Sequence, residues 1–292
     1  MSLPEFQTLK LAIEDGIGIL TLSRPDKMNT FNNIMRAELI AAFDHTDAND
    51  DIKAVIVTGE GRAFCAGADL GTSGGDTFNY DKNAATDDII VDGIRRDGGG
   101  RVVLRIYESV KPVIAAVNGA AVGVGATMQL PMDARLAVKG AKYGFVFSRR
   151  GITPEACSSW FLPRLVGPAN ALEWFYSGRV FLAEEAHEKG LVQSLHEPDE
   201  LLPAAKALAH QMTDHSAPVS VAVARQMVYR MMGAEHPMMA HRVDSRSIQW
   251  RGGSDDAKEG IAAFFEKRDP NYPNKVSEDL FELPFPKAPE FE

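Results

Sequence analysis

Two segments of this chain repeat one design, and that repetition constrains the fold more than any other feature. Lys53 to Thr58 (KAVIVT) is a short apolar run followed by Gly59-Glu60-Gly61-Arg62-Ala63-Phe64-Cys65-Ala66-Gly67-Ala68-Asp69-Leu70. Pro112 to Val117 (PVIAAV) is a second, followed by Asn118-Gly119-Ala120-Ala121-Val122-Gly123-Val124-Gly125-Ala126. Each reads as a buried strand, a stretch of small residues, and a helix start. Small residues allow close approach of the backbone. A helix start leaves N–H donors free beside a partial positive charge. Two such segments fit an oxyanion hole, and they equally fit close packing of helix on sheet. A phosphate loop is disfavoured, because the Gly-Lys-Ser/Thr ending is absent and Gly123-Val124-Gly125 lacks the third glycine of a dinucleotide fingerprint.

The rest of the chain alternates similarly. Ile17 to Ser23 reads as a strand paired with Phe6 to Ile13 across Asp15-Gly16, and Asn33 to Asp47 as a helix capped by Asn32 or Asn33. Ala134 to Val138 is a further strand. Helical patterns follow over Pro168 to Tyr176, Ala183 to Lys189, Leu201 to Met212, Ser220 to Met232 and Ser254 to Lys267, with Leu191 to Leu195 extended. The fold class is α/β with largely parallel strands. We expect an α/β core over residues 1–195 and a helical region with an extended, proline-bearing arm over 196–292. Gly71 to Gly100, rich in Gly, Asp and Asn, reads as a long loop, either a ligand-adjacent lid or disorder.

Composition excludes some functions. The formal net charge of −9 argues against nucleic acid as a partner, although a local basic cluster can still hold a small anion. No apolar run approaches the roughly 18 residues of a membrane span, and neither a leader nor an address motif stands out, so a cytoplasmic protein is the expectation. The two cysteines, Cys65 and Cys157, read as reduced thiols. The seven histidines form no ligand cluster, so no metal is expected. No Gly-x-Ser-x-Gly elbow points to a serine hydrolase. Met227, Met231, Met232, Met238 and Met239 read as core or interface filler, or as the lining of an acyl tunnel.

The order Arg24-Pro25…Asn29, Ala63 to Leu70, Lys111 to Gly119, Leu165-Val166-Gly167 and Ala186…Gly190-Leu191-Val192 closely resembles the crotonase (enoyl-CoA hydratase/isomerase) superfamily over about residues 6 to 270. The resemblance implies a crotonase spiral of ββα units with a helical C-terminal trimerisation region. It implies an acyl-CoA thioester as substrate, with no cofactor beyond the CoA it carries, and a homo-oligomer, a trimer or a pair of trimers. It places the two oxyanion N–H groups on Ala68 and Val124. Val124 stands where the family usually has glycine, and a β-branched residue there requires an ordinary negative φ. Ala66, Asp69 and Leu70 align with the stretch beside the CoA adenine, and Arg24, Lys27 and Met28 with the loop at the nucleotide end. Lys267 is a candidate for a CoA phosphate, or a solvated helix charge.

The family's hydratases split water with two glutamates, and here those positions fall on Thr127 and Phe147, neither a general base. Pro154-Glu155-Ala156-Cys157-Ser158-Ser159 resembles the active-site stretch of peroxisomal-type Δ3,Δ2-enoyl-CoA isomerases, in which the glutamate shuttles a proton. Glu155 is therefore the candidate acid–base group; otherwise it caps a helix beginning near Ala156. The expected function is Δ3 to Δ2 isomerisation. The alternatives are hydration of a 2-trans-enoyl-CoA, a hydrolase or C–C lyase acting on a related enolate, and a non-catalytic acyl-CoA-binding scaffold.

Overall fold

The computed structural model describes residues 3–71, 78, 88–281, 285 and 289–291. The chain begins with a hairpin, β1 (Leu9–Glu14) and β2 (Ile17–Leu22). Asp15 and Gly16 both take positive φ, and Glu14 pairs with Ile17, which is the two-residue turn that matches strand twist. Helix α1 (Asn33–Ala48) follows, its N-terminus capped by the Asn32 side chain, which accepts from the Met35 N–H.

Next come β3 (Ala54–Gly59) and β4 (Ala63–Cys65), then a short hairpin of β5 (Ile90–Val91) and β6 (Ile94–Arg95). Helix α2 (Gly98–Glu108) leads to β7 (Val113–Val117), β8 (Ala120–Val122) and the single turn α3 (Val124–Thr127). β9 (Ala134–Val138) and β10 (Lys142–Gly144) complete the repeating pattern. In each repeat the first strand joins a large sheet and the second a small one. The large sheet runs β1-β2-β3-β7-β9-β12, with β12 at Ser194–His196. The small one runs β11-β10-β8-β4, with β11 at Val180–Leu182. Within these two sheets pairing is parallel except at β1–β2 and β10–β11. β7 and β9 are buried along their whole length, which explains their unbroken apolar runs.

Helices α4 (Ser158–Ser177, kinked at Gly167), α5 (Ala183–Glu188) and α6 (Leu201–Thr213) pack around these sheets, and Leu201, Ala205 and Ala209 of α6 join the main core. α7 (Pro218–Met231), α8 (Pro237–Gly252) and α9 (Asp255–Glu266) follow. Buried Arg225 of α7 ties this region to the sheet: it pairs with Asp133 at 3.0 Å and donates to the carbonyls of Ile106 and Pro131.

Two expectations need correction. The glycine-rich segment does not stay irregular to Gly100. Gly98, Gly99 and Gly100 are the first turn of α2, because Asp97 caps that turn and Val102, Val103 and Ile106 supply a buried face. Residues 72–77 and 79–87 lie outside the described residues, so the lid or disorder reading concerns a segment not described. The tail is not simply an extended arm either. It forms α10 (Val276–Asp279), whose Val276 is buried and whose Ser277 N–H donates to Asp50 at 3.1 Å. Pro284 and Pro286 lie outside the described residues.

Candidate active site

Of the three places where the chain crosses from the large sheet to the small one, the first two, β3 to β4 and β7 to β8, are neighbours fixed by asparagines. Buried Asn29 accepts from the Arg24 N–H at 2.8 Å and donates to the carbonyls of Glu60 and Ala63 at 2.9 and 2.8 Å. Asn118 accepts from the Gly59 N–H and donates to the Gly61 carbonyl. Past β4, the chain passes beside Phe31: the Phe31 N–H donates to Gly67 O at 2.9 Å and the Asp69 N–H to Phe31 O at 2.8 Å. In such a pairing Ala68 turns its own N–H to the opposite side of the strand. Val124 is the first residue of α3, where no carbonyl of its own helix can accept its N–H. The left-handed φ falls on Gly123, at +55°, and Val124 keeps an ordinary one. Gly125 presses α3 onto β4, because a Cβ there would stand 2.0 Å from Cys65 O.

These elements open onto a cavity of about 810 Å³, lined by Ala66, Ala68, Asp69, Leu70, Val124 and Glu155 among others. Such a size suits a small-molecule site. Arg24, Lys27, Met28, Thr127 and Lys267 do not line it. Arg24 is paired with Asp69 at 2.7 Å and shapes the wall from behind. Lys27 ends a 3-10 turn whose C-cap is Met28, the Met28 carbonyl accepts from the Ala66 N–H, and Lys267 caps α9 in a left-handed conformation.

Glu155 does not cap a helix. Ala156 and Cys157 take φ of 52° and 53°, and α4 starts only at Ser158. A left-handed conformation costs such residues roughly 1–2 kcal/mol each. This turn aims Glu155 into the cavity, where Thr127 Oγ1 donates to Oε1 at 2.6 Å. Among the described residues this is the carboxylate's one hydrogen bond. Burial, and then the nearby charge of Asp97, push the Glu155 carboxyl up to about 8, with the Thr127 bond opposing. Phe147 also lines the cavity. Cys157 is half-buried there, and burial raises its thiol; Cys65, fully buried behind the wall, is pushed up to about 12.

Asp97 and Gly99 also line the cavity, and nothing in the periodicity of a glycine run marked them. The one available signal was a capping residue ahead of an apolar face. A Cβ on Gly99 would fall 2.2 Å from Glu155 Oε2. That atom ends a flexible side chain, so Gly99→Ala displaces the carboxylate rather than the backbone. We expect activity to fall about 10²-fold, with a melting temperature unchanged or slightly raised because alanine favours the helix. Three arginines also line the cavity, Arg36, Arg95 and Arg150; Arg95 and the buried Arg36 pair with Asp88 at 2.9 and 3.2 Å.

Comparison with known proteins agrees with this architecture. Residues 12–275 match the family model described as enoyl-CoA hydratase/isomerase. The chain belongs to that family. It is 37% identical to an enoyl-CoA hydratase of Alternaria alternata over 90% of this chain and 85% of that one. It is 33% identical to the 1,2-epoxyphenylacetyl-CoA isomerase of Escherichia coli, over 90% of this chain and 97% of the other. The crystal structure of an enoyl-CoA hydratase from Mycobacterium tuberculosis superposes with a TM-score of 0.78 at 30% identity, covering 91% of this chain and 98% of that one. The fold is thus that of the crotonase superfamily, and the protein is an acyl-CoA-processing enzyme of this family. No helix among the described residues is long and apolar enough to cross a membrane.

Proposed function

We propose that this enzyme isomerises 3-enoyl-CoA thioesters to 2-enoyl-CoA. The observation that carries the reading is a recessed carboxylate, Glu155, whose one hydrogen bond among the described residues comes from Thr127, the residue that stands where a hydratase has its first glutamate, while the neighbouring Asp97 is engaged by backbone donors. The thioester oxygen accepts the N–H groups of Ala68 and Val124. Glu155 removes a proton from C2, the negative charge spreads from C2 to C4 and onto the held oxygen, and the same carboxylic acid returns the proton to C4. A donor aimed at that oxygen is worth about 2.7–4 kcal/mol of barrier. CoA enters only as part of the substrate, with Ala66, Asp69 and Leu70 beside its adenine, Arg24, Lys27 and Met28 towards its nucleotide end, and Lys267 near a phosphate.

The base must be ionised, so kcat/KM for a 3-enoyl-CoA is expected to rise with pH through about 8. Rapid hydration of crotonyl-CoA with slow turnover of the 3-enoyl isomer would overturn the assignment. Hydration is the second reading, favoured by the name of the Alternaria alternata relative, and the same pair of assays decides it.

We further propose a trimer, or two paired trimers. α8 and α9 expose Ile248 (71%), Ile261 (61%), Phe264 (77%) and Phe265 (76%), a surface suited to other copies of the chain. Light scattering should give a multiple of three, and replacing both phenylalanines with serine should lower it; a monomeric wild type would refute this.

A further inference from the structure

We infer that Asp97 is a positioning residue for Glu155, clamping the start of α2 to the turn that carries the carboxylate. The inference rests on Glu155 being the acid–base group. Asp97 Oδ1 accepts from the Gly99 N–H at 3.0 Å and Oδ2 from the Gly100 N–H at 2.8 Å, which caps α2. Oδ2 also accepts from the Ala156 N–H at 2.7 Å, across 59 positions of sequence. Capping alone does not call for that third bond. It fixes the residue next to Glu155, in a turn where two successive non-glycine residues are left-handed. Such a conformation persists only where the surroundings over-determine it.

The same clamp sets the wall behind the carboxylate. Gly99, which receives no side chain, leaves room for Oε2, while Ala156 Cβ and Val124 Cγ2 close the space on either side. Three backbone N–H groups take up three of the roughly four acceptor sites of the Asp97 carboxylate, which marks it as a group that holds backbone in place. The groups facing Glu155 are Asp97 at the start of α2, Cys65 from β4, Cys157 on its own turn, and neutral Thr127 from α3. Of these only Asp97 adds a fixed negative charge.

Asp97→Ser keeps a cap for α2 but lacks the charge and the reach to Ala156. Asp97→Asn keeps the size and loses the charge, and carries the test where the serine variant melts early. We expect kcat on a 3-enoyl-CoA to fall about tenfold or more while KM changes less than about threefold. The rising limb of the pH profile should move to lower pH. In a Glu155→Gln background, Asp97→Asn should cost nothing further. An unmoved pH limb with kcat within about twofold of wild type overturns the inference, as does an equal loss with and without Glu155. If Glu155→Gln is itself fully active, the acid–base reading fails; if only the Asp97 variants are silent, this inference alone fails.

Discussion

Glu155→Gln is expected to reduce turnover of a 3-enoyl-CoA by about 10²–10⁴-fold, with little change in KM. The amide matches the carboxylate in shape, and its oxygen can still accept the Thr127 hydroxyl bond. What it cannot do is take up a proton. Stability should move the opposite way. The folded state holds this carboxyl at about 8, above its ordinary value of 4.5, so folding favours the neutral form. The stability that Glu155 contributes is therefore complete below about 4.5 and lost as pH rises through about 8. The amide is neutral throughout. Thermal melts should show the variant gaining on the wild type across that interval. Full activity in the variant, or a constant difference in melting temperature, would refute the assigned role.

Gly125→Ala should damage both fold and activity. The added Cβ meets Cys65 O at 2.0 Å and Cys65 C at 2.8 Å, and neither backbone atom can swing aside. α3 must move away from β4, costing about 1–3 kcal/mol, or roughly 2–10 °C of melting temperature. In an open helix the same change would stabilise by up to about 1 kcal/mol, so the sign alone is diagnostic. The Val124 N–H moves with α3, and kcat should fall about 10²-fold. Gly99→Ala makes the contrast. There the obstructing atom belongs to a side chain, and activity should drop without loss of stability. Calorimetry and kinetics on the two variants separate the cases.

Much of the architecture was legible because long-range pairing and local pattern agree. The apolar runs at Val113 to Val117 and Ala134 to Val138 are strands buried on both faces, and of the two asparagines read as possible caps of α1, Asn32 is the one that caps it. The short strands β4, β8, β10 and β11 hold three residues each, too few for a period to register. α2 was hidden because three glycines open it. Its formation depends on Asp97 and on burial of Val102, Val103 and Ile106, and propensity yields to that tertiary context. α8 was missed because only Val243, Ser247 and Arg251 of it are buried, leaving almost no apolar stripe. At the site, Glu155 was visible through its motif. Its surroundings were not, since Asp97 acts across 59 positions and Gly99 matters through an atom it lacks.

The tether between Thr127 and Glu155 has a stereochemical consequence. With Oε1 held by Thr127 and Oε2 against Gly99, one carboxyl group reaches the acyl chain from one side only. In the proposed reaction a hydrogen lifted from C2 is set down at C4 on the same face. Because the acid is recessed from solvent, a deuterium carried on it can reach the new carbon before it washes out, leaving part of the label inside the product.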